Sequence, residues 1–316
     1  MSADQSHQPE SEPEEIRERE AALQTAAEDA RSAVEAEVLR SVPPEPGSAK
    51  PDPILTVDTM TRQFGGLRAV QVDHLEVQRG TITALIGPNG AGKTTFFNLV
   101  SGFDVPDDGS WSFDGVSLTR QPAYRIARHG LVRTFQLTKA LMRLTALENM
   151  MLGATEQRGE RLVPALLRPL WRSQEKEIEK RADELLERFG LSHMRDQYAG
   201  TMSGGQRKLL EMARALMVRP SMLMLDEPMA GVNPALTQSL LGHIRELRDD
   251  GMTIILVEHD MDVVMGISDW VVCFAAGEII AEGMPEDISA NDAVIDAYLG
   301  TSRAEGNGGD ARTEEP

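Results

Sequence analysis

The chain has 316 residues, a formal net charge of −18, one cysteine and 41% hydrophobic residues. That length and apolar content suit a globular body with a sizeable core, and no run of eighteen uncharged apolar residues is present to span a bilayer. One cysteine excludes an internal disulfide, which fits a cytoplasmic protein; the acidic balance argues against general nucleic-acid binding, and the acidic, polar start lacks the plan of a secretory signal.

Residues 1–50 are rich in Glu, Ala, Pro and Ser and contain no aromatic residue. Ala, Glu and Arg favour a charged helix over 14–40, but Ile16, Leu23, Val34, Val38 and Leu39 are too sparse for a core. Ser41-Val42-Pro43-Pro44-Glu45-Pro46-Gly47 reads as a linker, so 1–50 is predicted to be a mostly disordered extension. The body begins with strand candidates at Ile54–Val57, Leu75–Val77 and Ile82–Ile86. Further short apolar runs at Met222–Leu225, Thr253–Val257 and Trp270–Phe274 read as strands buried on both faces. Helices lie between them, including one over Gln206–Met217 that stops before Pro220. Alternating strands and helices predict an α/β fold with a parallel sheet. Cys273 falls inside the last apolar run and reads as a core thiol. Residues 301–316 read as a flexible tail.

Three segments carry chemistry. Gly87-Pro88-Asn89-Gly90-Ala91-Gly92-Lys93-Thr94 follows an apolar strand and precedes a helix that starts at Thr95, the context a P-loop needs. Its glycines let backbone N–H groups wrap a phosphate, and the helix N-terminus adds partial positive charge. Lys93 would reach the β- and γ-phosphates, and the Thr94 hydroxyl would bind Mg²⁺. Next, Asp226 and Glu227 follow four apolar residues at a strand end, where parallel sheets bind ligands. Asp226 would hold Mg²⁺, and Glu227 would orient the attacking water and accept its proton. Finally, Ser203-Gly204-Gly205-Gln206 places a good N-cap and two glycines at a helix start, a second anion site. One chain does not need two cradles for one phosphate, so this one is read as capping a nucleotide held by another subunit.

On these motifs the chain resembles the ABC ATPase family over about residues 54–300. Met202–Gln206 is similar to its LSGGQ signature, with Met for Leu. The resemblance implies further residues: Gln136 as the Q-loop glutamine at Mg²⁺, His259 as the switch histidine at the γ-phosphate, and Phe64 as the ring stacked on adenine. Ala230-Gly231-Val232-Asn233 matches the D-loop, with Asn233 where many members carry Asp. His7, His74, His129, His193 and His243 match nothing and read as structural or solvent-facing.

The implied fold is a P-loop NTPase core with a mostly parallel sheet, an antiparallel β subdomain and an inserted α-helical subdomain at about 137–218, all within a nucleotide-binding domain at 51–300. Within the family, Arg133-Thr134-Phe135-Gln136, Glu258-His259-Asp260-Met261 and the close Asp296-Ala297-Tyr298-Leu299-Gly300 resemble branched-chain amino acid importers. Urea, amide and lipopolysaccharide-export ATPases share some of these features. The implied activity is ATP hydrolysis with Mg²⁺, coupled to transport at the cytoplasmic face of the inner membrane. Implied partners are two transmembrane permease subunits, a second ATPase subunit of a different chain closing head to tail and, indirectly, a solute-binding protein. The apolar stretch Arg161–Trp171 reads either as subdomain core or as lining for the groove that receives a permease helix. Two rival readings, a soluble ABC protein on ribosomes or DNA and a P-loop kinase or GTPase, lack a doubled domain or long coiled coil in the first case and a role for Ser203–Gln206 in the second.

Overall fold

The computed structural model describes residues 38–134, 139–155 and 169–298. Among the described residues, ten strands form two sheets. β1 (Pro53–Phe64), β2 (Leu67–Gln78), β4 (Asp108–Phe113) and β5 (Val116–Ser117) make an antiparallel sheet in the order β2-β1-β4-β5. β3 (Ile82–Ile86), β6 (Leu131–Arg133), β7 (Met222–Asp226), β8 (Thr253–Val257), β9 (Trp270–Ala275) and β10 (Glu278–Gly283) make the second, in the order β10-β9-β3-β8-β7-β6. Every pairing in this sheet is parallel except β9 with β10.

The helices are α1 (Lys93–Val100), α2 (Ala123–Arg128), α3 (Ala146–Leu152), α4 (Pro169–Arg188), α5 (Gly204–Ala215), α6 (Pro234–Asp249), α7 (Met261–Ile267) and α8 (Pro285–Ser289), followed by a helical stretch at 292–298. Between β6 and β7 the described residues form helices, turns and loops, with one isolated antiparallel bridge between Thr145 and Tyr198. α3 is fixed by a capping box: Thr145 accepts from the Glu148 amide, and Glu148 accepts from the Thr145 amide.

Successive residues of a strand point to opposite faces, and here both faces are apolar. Leu223, Leu225, Ile254, Leu256, Val271 and Cys273 join a core with α3, α4, α5 and α6. Met222, Met224, Ile255, Val257, Trp270, Val272 and Phe274 join the opposite core with α1 and the antiparallel sheet. Cys273 is fully buried, and burial pushes its thiol up to about 11.

One expectation is corrected. Residues 38–50 are packed onto the body. Leu39 is 0% exposed and sits in the same core as α1, with Val42 beside it. Lys50 and Glu282 on β10 form a buried pair with Nζ to Oε1 at 3.4 Å, and the Lys50 ammonium also lies 4.4 Å from the centre of the Trp270 ring. The Ser48 amide donates to Glu282 at 2.8 Å and the Lys50 amide to Glu76 on β2 at 2.6 Å. The prolines thus lie in a run of turns that touches both sheets, seated by Leu39 and Val42 and by the polar contacts of Ser48 and Lys50. The stretch 161–168 lies outside the described residues, as do the side chains of 169–172.

Candidate functional site

β3, β8 and β7 are neighbours running in one direction, so their carboxyl ends emerge at the same edge. Val257 of β8 is flanked by Leu85 on one side and Asp226 on the other. The residues that follow are Gly87, Glu227 and Glu258-His259. Three segments distant in sequence thereby meet at one rim, the position where parallel α/β sheets bind ligands.

The P-loop is shaped by its neighbours. A Cβ on Gly87, whose φ is +138°, would stand 2.1 Å from the Phe274 carbonyl oxygen; one on Gly92, at φ +107°, would stand 2.3 Å from that of Ala69. Glycine is needed at both for space as well as conformation. The Gly277 amide donates to the Ala91 carbonyl at 2.9 Å, and the Gly87 amide donates to the Tyr298 hydroxyl at 2.8 Å. Asn89, Gly90 and Thr94 are exposed, Pro88 and Thr95 half-buried, and Ala91 buried. Gly92 leads into α1 without any side-chain cap. The helix therefore presents its first amides unclaimed, the fit a phosphate requires. Lys93 folds back across the loop, its Nζ 2.5 Å from the Gly87 carbonyl and 3.0 Å from that of Pro88. Burial lowers its pKa, against the pull of Glu227 and Asp226.

Asp226 ends β7 with its Oδ2 2.7 Å from an Arg133 guanidinium nitrogen. Glu227 follows in the left-handed region at φ 47°. That conformation is uncommon without glycine and is held from two sides. The Glu227 amide donates to Val257 at 3.0 Å, and its carbonyl accepts from Lys208 of α5 at 3.2 Å. His259 is 64% exposed at the end of β8. Beside it Glu258 is buried, accepting from the Met229 amide at 3.1 Å and the His259 amide at 3.3 Å. Burial raises its pKa. Phe64 is exposed at the tip of the β1–β2 hairpin, the hairpin whose Ala69 braces Gly92, and the Arg62 guanidinium lies 4.7 Å from its ring centre.

Ser203 and Gly204 are exposed at the start of α5. Ser203 accepts from the Gln206 amide at 3.2 Å, and Gln206 accepts from the Ser203 amide at 2.9 Å. This capping box leaves the glycines different tasks. A Cβ on Gly204 would meet open space, whereas one on Gly205 would stand 1.5 Å from Leu236 Cδ2 of α6. Asn233 caps α6 by accepting from the Leu236 amide at 3.0 Å, the same service an Asp there would give. Gln136 lies outside the described residues. No sequence signal gives Arg133, Lys208, Gly277 or Tyr298 a role; Glu258 falls beside His259, and Arg133 and Tyr298 lie inside motifs that point to other residues.

Comparison with known proteins decides the family. The ABC transporter family model matches residues 70–230, covering the P-loop, Ser203–Gln206 and Asp226-Glu227 together. The chain belongs to the ABC transporter family. It is an ATP-binding cassette of the kind that hydrolyses ATP to power transport. A second model, the branched-chain amino acid ATP-binding cassette transporter, matches residues 278–304. A probable branched-chain amino acid transport ATP-binding protein, LivG of Archaeoglobus fulgidus, is 43% identical over 252 residues, covering 80% of this chain and 97% of the relative. The high-affinity branched-chain amino acid transport ATP-binding protein BraF of Pseudomonas aeruginosa is 42% identical over 250 residues, covering 78% and 98%. Among solved structures, an ATP-binding cassette of an ABC transporter in its ADP conformation superposes with a TM-score of 0.70 at 36% identity, covering 78% of this chain and 99% of the other. As for the membrane, among the described residues no helix of this ABC cassette is long and apolar enough to cross one.

Proposed function

We propose that this cassette powers uptake of branched-chain amino acids, working with two membrane permease subunits and a second ATPase subunit of a different chain. The match at 278–304 and the printed functions of LivG and BraF support the substrate class. The assembly is a peripheral one at the cytoplasmic face of the inner membrane, and a solute-binding protein acts on it indirectly.

The observation that carries the mechanism is the shared rim of β3, β7 and β8, which gathers a phosphate cradle, two carboxylates and a histidine. Gly87–Gly92 and the start of α1 wrap the phosphates of ATP; Lys93 and Thr95 complete the grip, Lys93 exchanging its loop carbonyls for phosphate oxygens. Thr94, Asp226 and Gln136 would hold Mg²⁺, which would supply charge neutralisation at the transferring phosphoryl group. Mg²⁺ takes one or two carboxylates plus phosphate oxygens, so Asp226 beside a phosphate cradle suits it. Glu227 orients the attacking water and takes its proton, His259 contacts the γ-phosphate, and Phe64 stacks on the base through the ring face that Arg62 leaves. Ser203, Gly204, Gly205 and Gln206 close over the nucleotide of the opposing subunit.

Glu227→Gln tests the chemistry, because it keeps the shape and removes the base. Equilibrium ATP binding is expected to stay at the parental level while turnover falls by roughly 10²–10⁴-fold. Parental turnover would refute the role of Glu227. Co-reconstitution with permeases and a leucine-binding protein tests the substrate: ATP-driven leucine uptake is expected, and its absence beside uptake of urea or amides would overturn the substrate class.

A further inference from the structure

Arg133 is the last residue of β6, and its side chain is 7% exposed. Its guanidinium touches two elements of the proposed nucleotide site at once. One terminal nitrogen donates to Asp226 Oδ2 at 2.7 Å. The other donates to Asn98 Oδ1 on α1 at 2.6 Å and to Ser101 Oγ just beyond it at 3.3 Å. Its central carbon lies 5.5 Å from the centre of the Phe97 ring, also on α1. Three residues further along the chain comes Gln136.

Charge alone makes this a poor place for an arginine, because a guanidinium beside a carboxylate repels any dication that the carboxylate binds. Geometry gives it a use. A planar fork anchored on α1 fixes the direction of the carboxylate it holds, which a flexible ammonium cannot do. Asp226 sits at the very end of β7, where no further strand residue restrains it. We propose that Arg133 is a positioning residue for the metal site: by holding Asp226 Oδ2 against α1, it presents Asp226 Oδ1 to the magnesium ion of the bound nucleotide. It also ties that carboxylate to the strand that leads into Gln136. The inference rests on the reading of Asp226 as a metal residue.

The test is binding of a fluorescent N-methylanthraniloyl-ATP to the full chain, with EDTA and with saturating Mg²⁺. The ratio of the two dissociation constants is the Mg²⁺ gain. Asp226→Asn is expected to abolish the gain. Arg133→Lys keeps the charge and loses the fork, and is expected to lower the gain by about 10-fold, with EDTA affinity and melting temperature close to parental. Arg133→Met is expected to lower it as well, although it removes the repelling charge. Asn98→Ala, which loosens the fork's anchor alone, is expected to lower it less. A parental gain in Arg133→Lys, or a raised gain in Arg133→Met, overturns the inference while leaving Asp226 as a metal residue. A parental gain in Asp226→Asn overturns that assignment and the inference with it. If Arg133→Met fails to fold, Arg133→Lys decides.

Discussion

The amide of Gly87, first residue of the phosphate loop, donates to the hydroxyl of Tyr298, 211 positions later in the chain. The helical stretch at 292–298 thus reaches back to the loop. The contact joins the region matched by the branched-chain transporter model to the P-loop of the general ABC family. Gly87 is buried, so its amide has no water to fall back on. Tyr298→Phe keeps the ring and deletes the acceptor. It is expected to cost about 1–3 kcal/mol of stability and to weaken ATP binding. Calorimetry and equilibrium ATP binding check both; a parental melting temperature together with parental ATP affinity would show that the bond does not brace the loop.

Gly204 and Gly205 separate folding from assembly. Both are at the start of α5, so a switch to Ala brings each a similar change in helix propensity. Only Gly205→Ala drives a methyl into Leu236. Gly205→Ala is therefore expected to be less stable than Gly204→Ala by about 1–2 kcal/mol, and the difference should vanish in a Leu236→Ala background. Gly204→Ala is expected to fold normally and to impair ATP-dependent pairing of ATPase subunits, read by light scattering with the Glu227→Gln change present. Normal pairing in that variant would place the exposed glycine outside the subunit contact.

The parts of the site that sequence exposes are those whose backbone chemistry demands particular residues. The P-loop needs glycine at Gly87 and Gly92 because carbonyls of Phe274 and Ala69 crowd them, so the demand is written in the motif itself. β3, β7 and β8 are legible because burial on both faces leaves an unbroken apolar run. β6 has three residues and β5 two, too few for any period to register. β10 carries Glu282 in its interior, and its burial is explained only by Lys50, which lies within residues 1–50, predicted as an extension. Arg133, Glu258 and Tyr298 act through partners far away in sequence, and nothing local marks such residues.

The Lys50–Glu282 pair makes residues 38–50 part of the folded body. Removing one partner of a buried pair strands the other's charge, at about 3–5 kcal/mol. Deleting residues 1–50 is accordingly expected to destabilise the chain, and Lys50→Met alone to reproduce much of the loss. Burial already raises the Glu282 pKa above its ordinary 4.5, and without Lys50 that rise grows. A carboxyl raised in the folded state favours folding below its unfolded pKa, and that advantage disappears as pH climbs. The deficit of Lys50→Met against the parent should therefore be small near pH 4.5 and widen upward, with Glu282→Gln restoring most of it. Denaturant midpoints across pH measure this; a deficit independent of pH, unrelieved by Glu282→Gln, would assign the loss to packing against Trp270 instead.

Cys273 offers an internal probe of the sheet core. It is fully buried on β9, and burial lifts its thiol from 9.0 to about 11. Only the thiolate is nucleophilic, so at pH 8 about one molecule in a thousand is reactive even before access is considered. Iodoacetamide is expected to leave the native chain unlabelled and to label it fully in denaturant. Since the folded pKa lies above the unfolded one, the thiol favours folding fully below pH 9, and this contribution of about 3 kcal/mol is lost between pH 9 and 11. The stability gap between the parent and Cys273→Ala should narrow over that interval. Rapid labelling of the native chain at pH 8 would mean that β9 opens without global unfolding, and the P-loop, which leans on the Phe274 carbonyl beside it, would open with it.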